Sequence, residues 1–167
     1  RGLLLRLEAQ GLIQLPPCGK IPPYHLSPHK KPAKVQVDQT PIEGKLSDLR
    51  PIELVQVRRT PLQKLYNSLI EQYHYLGYTR PVGEHLEYLA LARGRVVACL
   101  GWCSAPRHIG CRDRYLGWSP EQRIKNLCRI VINTRFLVLP WVKVPHLASH
   151  LLGLMARRIP QDWQEIY

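Results

Sequence analysis

The sequence predicts an α/β fold of the mixed α+β kind, in which helices flank one sheet. Three observations predict it: a capped helix that begins at Thr60-Pro61, a strand hairpin around Arg93-Gly94, and a long amphipathic segment that begins at Leu147. Apolar residues recur every three to four positions in such helices and at alternate positions in half-buried strands. Of the 167 residues, 45% are hydrophobic and 22% are charged, as in globular proteins. A chain of this length buries one ordinary core.

The first segment, residues 1–17, is predicted to form a helix that ends at Gly11. A glycine adopts the positive φ of a helix C-cap without strain. A short strand, Leu12–Leu15, follows and is closed by two prolines. This order is typical of the last helix and the wing of a winged-helix module, so we interpret it as a partial N-terminal winged helix. It fits equally an amphipathic helix packed on the main domain. The only methionine lies near the end of the chain, so we interpret the sequence as a fragment of a longer protein.

The second segment, residues 18–59, is predicted to be a proline-rich basic linker or a long extended crossing. Proline removes backbone donors and restricts the residue before it, which disfavours helices and central strands. Its lysines can contact phosphates or simply be solvated. Alternating apolar residues at 53–58 indicate a first strand of the core near its end.

The third segment, residues 60–167, is predicted to be the core domain. Thr60 at the N-cap, Pro61 at the first helical position and Gln63 form a capping-box start. The helix that follows carries apolar residues at helical spacing, which places them on one face. These residues are Leu62, Leu65, Tyr66, Leu69, Ile70 and Tyr73.

The remaining elements of the core are read from turn signals and composition. Strands at 86–92 and 95–104 flank the Arg93-Gly94 turn. A second capping box at 119–122 opens a short helix, and residues 127–139 are rich in β-branched and aromatic side chains, as in strands. A last helix is expected to begin at Leu147 and to end near Ile159-Pro160. The predicted core is therefore one sheet with a long helix packed back onto it.

The charge balance points to an anionic partner. Lysines and arginines exceed acidic residues by 24 − 12 = 12, and such a field attracts nucleic acid or anionic membranes. No apolar run is long enough to span a bilayer, and no signal-peptide pattern opens the chain, so we expect a cytoplasmic protein with no membrane partner. Its five cysteines include no Cys-x-x-Cys pair, which indicates reduced thiols. Cys103, His108 and Cys111 are poorly spaced for zinc and lack a fourth ligand, so we expect no metal site.

The segment from Arg107 to Arg135 is the strongest candidate for binding. It carries seven cations against Asp113 and Glu121, with aromatic residues between them. Arginine matches phosphate oxygens and stacks on bases, and aromatic rings add sequence-tolerant stacking. We expect Asp113 to pair with a neighbouring arginine, and Trp118 and Phe136 to be core residues. The predicted nucleic-acid-binding residues are Arg112, Arg114, Tyr115, Arg123, Lys125, Arg135 and Tyr75.

Several sequence blocks occur together in one order, and they carry a family resemblance. The blocks are Tyr73–Tyr78, Arg112–Trp118, Asn126–Val131, Asn133–Pro140 and Leu147–Ser149. Their order resembles the DruA-like family, which is found in the Druantia anti-phage system and in some transposase-associated proteins. The resemblance covers residues 1–17 and 60–167. It implies a nucleic-acid-related role in prokaryotic defence or in mobile elements, and other defence proteins, such as a helicase, as further partners.

The order of helix, hairpin, strand and long helix also resembles the fold of the GCN5-related N-acetyltransferases, of which the DruA-like family looks like a divergent member. That resemblance implies a mixed sheet flanked by helices. It also implies acetyl-CoA as a candidate cofactor, bound by a glycine-rich loop and a helix N-terminus. The corresponding stretch here, residues 141–149, has no glycine, so its backbone cannot approach a phosphate as closely. We therefore expect no bound cofactor, although Lys143, His146 and Ser149 can supply donors there.

A further resemblance links Arg129–Val131, a proline-bearing loop and Ala148-Ser149 to the Mom family of phage DNA-modifying proteins. It implies that His74 and Ser149 are catalytic residues. A histidine titrates near neutrality and can move a proton, and the neighbouring tyrosine rings can stack on a flipped base. The same Tyr-His-Tyr cluster fits a helix C-terminal cap with buried aromatic residues.

Our leading hypothesis is a DNA-binding component of an anti-phage defence or mobile-element system, which binds through an arginine and aromatic surface. Two alternatives stay open. One is an active acyltransferase that modifies a nucleobase or a small molecule. The other is an inert scaffold that docks a helicase or nuclease, which predicts an apolar surface patch instead of a basic one.

Overall fold

The computed structural model describes residues 2–15 and 31–167, which belong to two units, 1–30 and 31–167. Residues 16–30 lie outside the described residues, and with them the two prolines predicted to close the wing and the first part of the predicted linker.

The first unit contains helix α1, Gly2–Ala9. Gly11 follows with a φ of 71°, and its N–H donates to the Glu8 carbonyl at 2.9 Å, which confirms the predicted helix end. The predicted strand Leu12–Leu15 is wrong, because these residues lie in no strand. A strand needs a neighbour for its backbone groups, and the described part of this unit offers none. The Leu15 N–H donates instead to the Glu8 carboxylate at 3.2 Å.

The second unit is a mixed α+β domain, which confirms the predicted fold class. Four strands form an antiparallel sheet in the order β2-β3-β4-β5, and β1 pairs in parallel with β6 in a small second sheet. The strands are β1 (Ile42–Glu43), β2 (Ile52–Gln56), β3 (His85–Ala92), β4 (Arg95–Ser104), β5 (Val131–Val138) and β6 (Val142–Lys143). The helices are α2 (Leu46–Leu49), α3 (Gln63–Tyr73), α4 (Gly110–Leu116), α5 (Pro120–Asn126), a 3₁₀ turn (Leu127–Arg129) and α6 (Leu147–Ile166).

Residues 31–59, the described part of the predicted linker, are bonded to the rest of this unit. The predicted strand at 53–58 is confirmed as β2, which pairs with β3. The extended stretch before it is held by side chains of the core: the Val35 N–H donates to Ser68 Oγ at 2.8 Å, and Arg95 donates to the Thr40 carbonyl at 2.8 Å. Such an extended crossing satisfies its backbone groups through these contacts.

The β3–β4 hairpin confirms the predicted turn. Arg93 and Gly94 have φ values of 52° and 73°, the two positive values that a tight two-residue hairpin requires. A bulge interrupts β4 and β5 further along, since Gly101 pairs with Arg135 and Trp102 pairs with Asn133. The bulge leaves one residue of β5 unpaired and bends the sheet beside Gly101.

Helices α3 and α6 cover opposite faces of the four-stranded sheet. Glu87 of β3 accepts a hydrogen bond from Gln63 of α3 at 2.7 Å, and the adjacent Tyr88 donates to Asp162 of α6 at 2.9 Å. Adjacent residues of a strand point to opposite faces, so the two helices lie on opposite sides. The core fills both layers. Its largest fully buried side chains include Leu69, Ile70, Leu89, Leu100, Leu151 and Met155.

The two predicted capping boxes have different outcomes. The box at Ser119 is confirmed: its hydroxyl accepts from the Gln122 N–H at 3.2 Å, and the Gln122 side chain accepts from the Ser119 N–H at 3.0 Å. The box at Thr60 is wrong, because α3 begins at Gln63. The Thr60 hydroxyl donates to the Val57 carbonyl at 2.8 Å and is thereby held in the turn that ends β2.

Two predicted element ends also change for reasons of tertiary contact. The strand predicted at 127–139 begins only at Val131, because β5 can pair only where its partner Ser104 still belongs to β4. Helix α6 continues past Pro160, where proline normally ends or kinks a helix. Asp162 beyond it is buried and bonded to Tyr88, which holds the last turns against the sheet.

Candidate functional site

One end of the four-stranded sheet gathers the loops that carry the predicted binding residues. Strand β3 begins, β4 ends and β5 begins at this end, so the loops 74–84 and 105–130 emerge together. The Ser104 N–H donates to the Glu84 carbonyl at 3.0 Å, and the Ala105 N–H donates to the Ile130 carbonyl at 3.2 Å. We call these two loops, 74–84 and 105–130, the loop edge.

Asp113 holds the α4–α5 segment together. Arg112 donates to Asp113 Oδ1 from Nε at 2.9 Å and from Nη2 at 2.7 Å, and Arg123 of α5 donates to Oδ2 at 3.3 Å. Arg112 also donates to the Pro106 carbonyl at 2.8 Å. The hydrogen bond from Arg112, the larger cause, and that from Arg123 lower the pKa of the Asp113 carboxyl. The predicted pairing of Asp113 is confirmed, and the two arginines link α4 to α5.

Other cations of the same segment are exposed. Arg114 and Lys125 are exposed, and neither forms an ion pair with any residue that the structure describes. Tyr115 is 90% exposed. The one exposed acid within residues 105–130, Glu121, accepts from the Ser119 hydroxyl at 2.8 Å. The segment therefore presents positive charge and a free aromatic ring to solvent.

His74 and Tyr75 stand where α3 ends. Tyr75 is 89% exposed and stacks on His74 with ring centroids 4.8 Å apart. His74 Nδ1 accepts from the Leu76 N–H at 3.2 Å, so the proton of the neutral ring lies on Nε2. Burial, and then the positive charge of Arg135, lower the pKa of His74. The neutral imidazole is favoured at this position.

Arg135 lies apart from the exposed cations, in a row of residues across the sheet. Glu87, Gly101 and Arg135 are register partners on β3, β4 and β5, on the face that α3 covers. A Cβ added at Gly101 would lie 2.6 Å from the Tyr66 hydroxyl, so only glycine lets this tyrosine of α3 approach the sheet. Arg135 donates to the Thr134 carbonyl at 2.7 Å.

A cavity of about 160 Å³ lies on this row. Its lining includes Tyr66, Ile70, Tyr78, Arg80, Glu87 and Arg135. Glu87 is 2% exposed, and its Oε2 accepts from Gln63 at 2.7 Å. Its Oε1 has no hydrogen-bond partner among the described residues. Burial is the main cause that raises the pKa of Glu87, and burial also raises the pKa of Tyr66 and Tyr78.

Sequence reasoning missed Glu87. The residue lies in the apolar strand His85–Ala92 and was read only as part of the hairpin. A signal was present, because Glu87 is the one charged residue between Leu86 and Ala92. Glutamate is almost never fully buried without a partner, so a lone acid in a core strand indicates a site.

The two predicted catalytic residues lie at the ends of two helices that cover opposite faces of the sheet. His74 follows α3, whereas Ser149 is exposed in the first turn of α6 and its hydroxyl donates to the His146 carbonyl at 3.1 Å. His146 begins α6 with a φ of 63°, and Lys143 forms an ion pair with Glu43 at 3.3 Å. The residues proposed as substitutes for a glycine loop are thus partly engaged with the chain itself.

The described cysteines are free thiols. Cys99 is buried, and burial raises its pKa far above the ordinary range, which makes the thiol inert. Cys111 and Cys128 are exposed, and Cys18 lies outside the described residues. No group of three or more histidine, cysteine or acidic residues in the described ranges could hold a metal ion. Within the same ranges, no helix has the length and apolarity to cross a bilayer.

The comparison with protein families gives a match over most of the chain. The family model described as Druantia protein DruA matches residues 24–167. No curated protein and no solved structure matches the chain. The matched region includes every element of the second unit and the whole loop edge. Because the match covers most of the chain, the protein belongs to the family of the Druantia protein DruA, a component of an anti-phage defence system.

Proposed function

We propose that this defence-system component binds nucleic acid, DNA above all, through its loop edge. The observation that carries the proposal is the division of charge on α4 and α5. Arg112 and Arg123 are engaged by Asp113, whereas Arg114 and Lys125 are exposed and free of ion pairs within the described residues. Free cations on a segment fixed by its own internal ion pairs can neutralise phosphates without first breaking a protein contact.

The engaged arginines have a supporting role in this proposal. Arg112 and Arg123 together carry one more positive charge than the Asp113 carboxylate can balance. They therefore add to the field of the segment while they fix its geometry. Direct phosphate contact falls to Arg114 and Lys125, and Arg107 and Arg129 are further exposed cations of the same loop.

Two exposed aromatic rings favour a nucleic acid over a small anion. Tyr75 and Tyr115 belong to different loops of the loop edge and are almost fully exposed. Exposed rings beside cations are typical of surfaces on which unpaired bases stack, each stacked base contributing about 1–3 kcal/mol. Strands with unpaired bases should therefore bind more tightly than a fully paired duplex of the same charge.

A charge-reversal pair tests the proposal. The variant Arg114→Glu/Lys125→Glu and the control Lys64→Glu/Arg157→Glu change the net charge equally, and all four residues are exposed. Fluorescence anisotropy with labelled single-stranded and duplex DNA should show that the first variant weakens binding at least about tenfold, because it removes two phosphate contacts and adds repulsion. The control should stay within about threefold of the parent.

Equal losses in both variants would mean that the overall charge acts instead of this surface. A parent protein that binds neither DNA nor RNA would overturn the proposal and favour the scaffold that docks another defence protein.

A further inference from the structure

The cavity beside Glu87 is a second feature with its own chemistry. We infer that it accepts one nucleobase, which places a ring or exocyclic N–H against Glu87 Oε1. The inference rests on the proposed function, because the base is supplied either by a strand bound at the loop edge or by a free nucleotide.

Glu87 carries one acceptor atom that no described residue uses. Glu87 is fully buried, and Gln63 satisfies only its Oε2. Oε1 has no partner among the described residues and is itself enclosed, while the residue lines the cavity. Buried polar atoms are nearly always hydrogen-bonded, so a turn of the carboxylate toward the cavity would let this oxygen accept from a donor outside the chain.

The volume of the cavity also fits a single nucleobase. The cavity volume is about 160 Å³. A single water molecule needs at least about 10–15 Å³ measured in this way, so the space holds on the order of ten atoms of water size. That is the size class of one purine or pyrimidine ring and is too small for a dinucleotide.

The residues that line the cavity also suit a flat aromatic base. Tyr66 and Tyr78 contribute aromatic rings and Ile70 an apolar side chain, as in pockets that hold flat heterocycles. Arg80 is exposed and lines the cavity on the side of the loop edge, so the cavity opens there. A base inside would leave its phosphate near Arg80 and the other cations of that edge.

The isosteric variant Glu87→Gln provides the sharpest test. An amide has one oxygen, and the Gln63 N–H occupies the inner position, so the amide N–H₂ group would face the cavity. This substitution exchanges an acceptor for a donor without a change of volume. Glu87→Leu removes the polar group altogether, and Glu53→Gln on the exposed part of β2 is the matched control for lost charge.

Two arms separate the sources of the base. In the first arm, a single strand with one 2-aminopurine is titrated with protein, and both anisotropy and 2-aminopurine fluorescence are recorded. We expect the fluorescence change with the parent and Glu53→Gln, its loss with Glu87→Gln and Glu87→Leu, and similar anisotropy for all four. In the second arm, calorimetry measures the four common nucleoside monophosphates and N6,N6-dimethyl-AMP, which lacks the exocyclic N–H. We expect the best natural nucleotide to bind the parent at least about tenfold more tightly than Glu87→Gln.

The outcomes distinguish the two proposals. Strand binding without a 2-aminopurine response, together with no nucleotide binding, overturns the base pocket and leaves the loop edge as the binding surface. Nucleotide binding that depends on Glu87 without strand binding supports the pocket as a mononucleotide site and overturns the surface. The pocket would also be overturned if AMP and its dimethyl derivative had the same affinity for the parent as for the Glu87 variants. Thermal unfolding of each variant shows that losses do not come from misfolding.

Discussion

Glu87 affects both the stability of the sheet and the chemistry of the cavity. It lies on β3, on the face that α3 covers, and its carboxyl group accepts one hydrogen bond from Gln63 of α3. Burial raises its pKa, and the hydrogen bond from Gln63, followed by the charges of His85 and Arg58, partly opposes that shift. Tyr66 and Tyr78 are the other titratable groups close to it. Burial therefore favours the neutral carboxyl group of Glu87 over the ionised carboxylate.

The ionisation of the Glu87 carboxyl group should make the stability of the protein depend on pH. A raised folded-state pKa contributes stability that is fully present below the unfolded value, near 4.5, and is lost as pH rises through the folded value. The melting temperature of the parent should therefore fall relative to that of Glu87→Gln as pH rises from about 4.5. We expect a difference of a few degrees, since 1 kcal/mol corresponds to about 4 °C for a domain of this size. Thermal denaturation across pH 4–8 measures it, with Glu53→Gln as control. A constant difference between parent and variant across this range would contradict the buried ionisation.

At the scale of elements, Gly101 sets how closely α3 approaches β4. A methyl group at this position would lie 2.6 Å from the Tyr66 hydroxyl and 3.3 Å from Arg135 Cβ. We expect Gly101→Ala to lower the free energy of unfolding by about 1–3 kcal/mol, the usual effect of overpacking. Tyr66→Phe removes the closest atom, so it should restore part of the loss in the double variant.

A double-mutant cycle by denaturant unfolding tests this contact. Strictly additive effects of Gly101→Ala and Tyr66→Phe would show that the two residues do not interact. Gly153 of α6 provides a control, because a Cβ there meets nothing within 4 Å among the described atoms. Gly153→Ala should be neutral or stabilising, as expected for alanine in a helix.

Local chemistry predicted the elements well, and tertiary contacts explain where the prediction failed. The hairpin turn and the Ser119 capping box depend on residues next to each other, so the sequence was sufficient. The continuation of α6 past Pro160 depends on Tyr88, a distant residue that no local pattern reveals. The Glu87–Gly101–Arg135 row arises only when three strands align in register, so the cavity could not be read from any single motif.

At the scale of the whole molecule, the excess of 12 positive charges makes binding to any polyanion depend on salt. The logarithm of the association constant should fall linearly with the logarithm of salt concentration. The magnitude of this negative slope should be about 2 smaller in Arg114→Glu/Lys125→Glu than in the parent, about 1 for each lost phosphate contact. Anisotropy titrations at four or more salt concentrations measure both slopes. Equal slopes would show that these residues do not contact phosphate.

The narrow fit at Gly101 limits which parts of the cavity beside Glu87 can change. The main chain of β4 forms the floor beneath Tyr66, and no side chain can be added or trimmed there without moving a helix. The rim formed by residues 79–81 is a loop, where substitutions cost little. The depth of the cavity is therefore fixed by the fold, whereas its entrance tolerates substitutions that leave the rest of the domain unchanged.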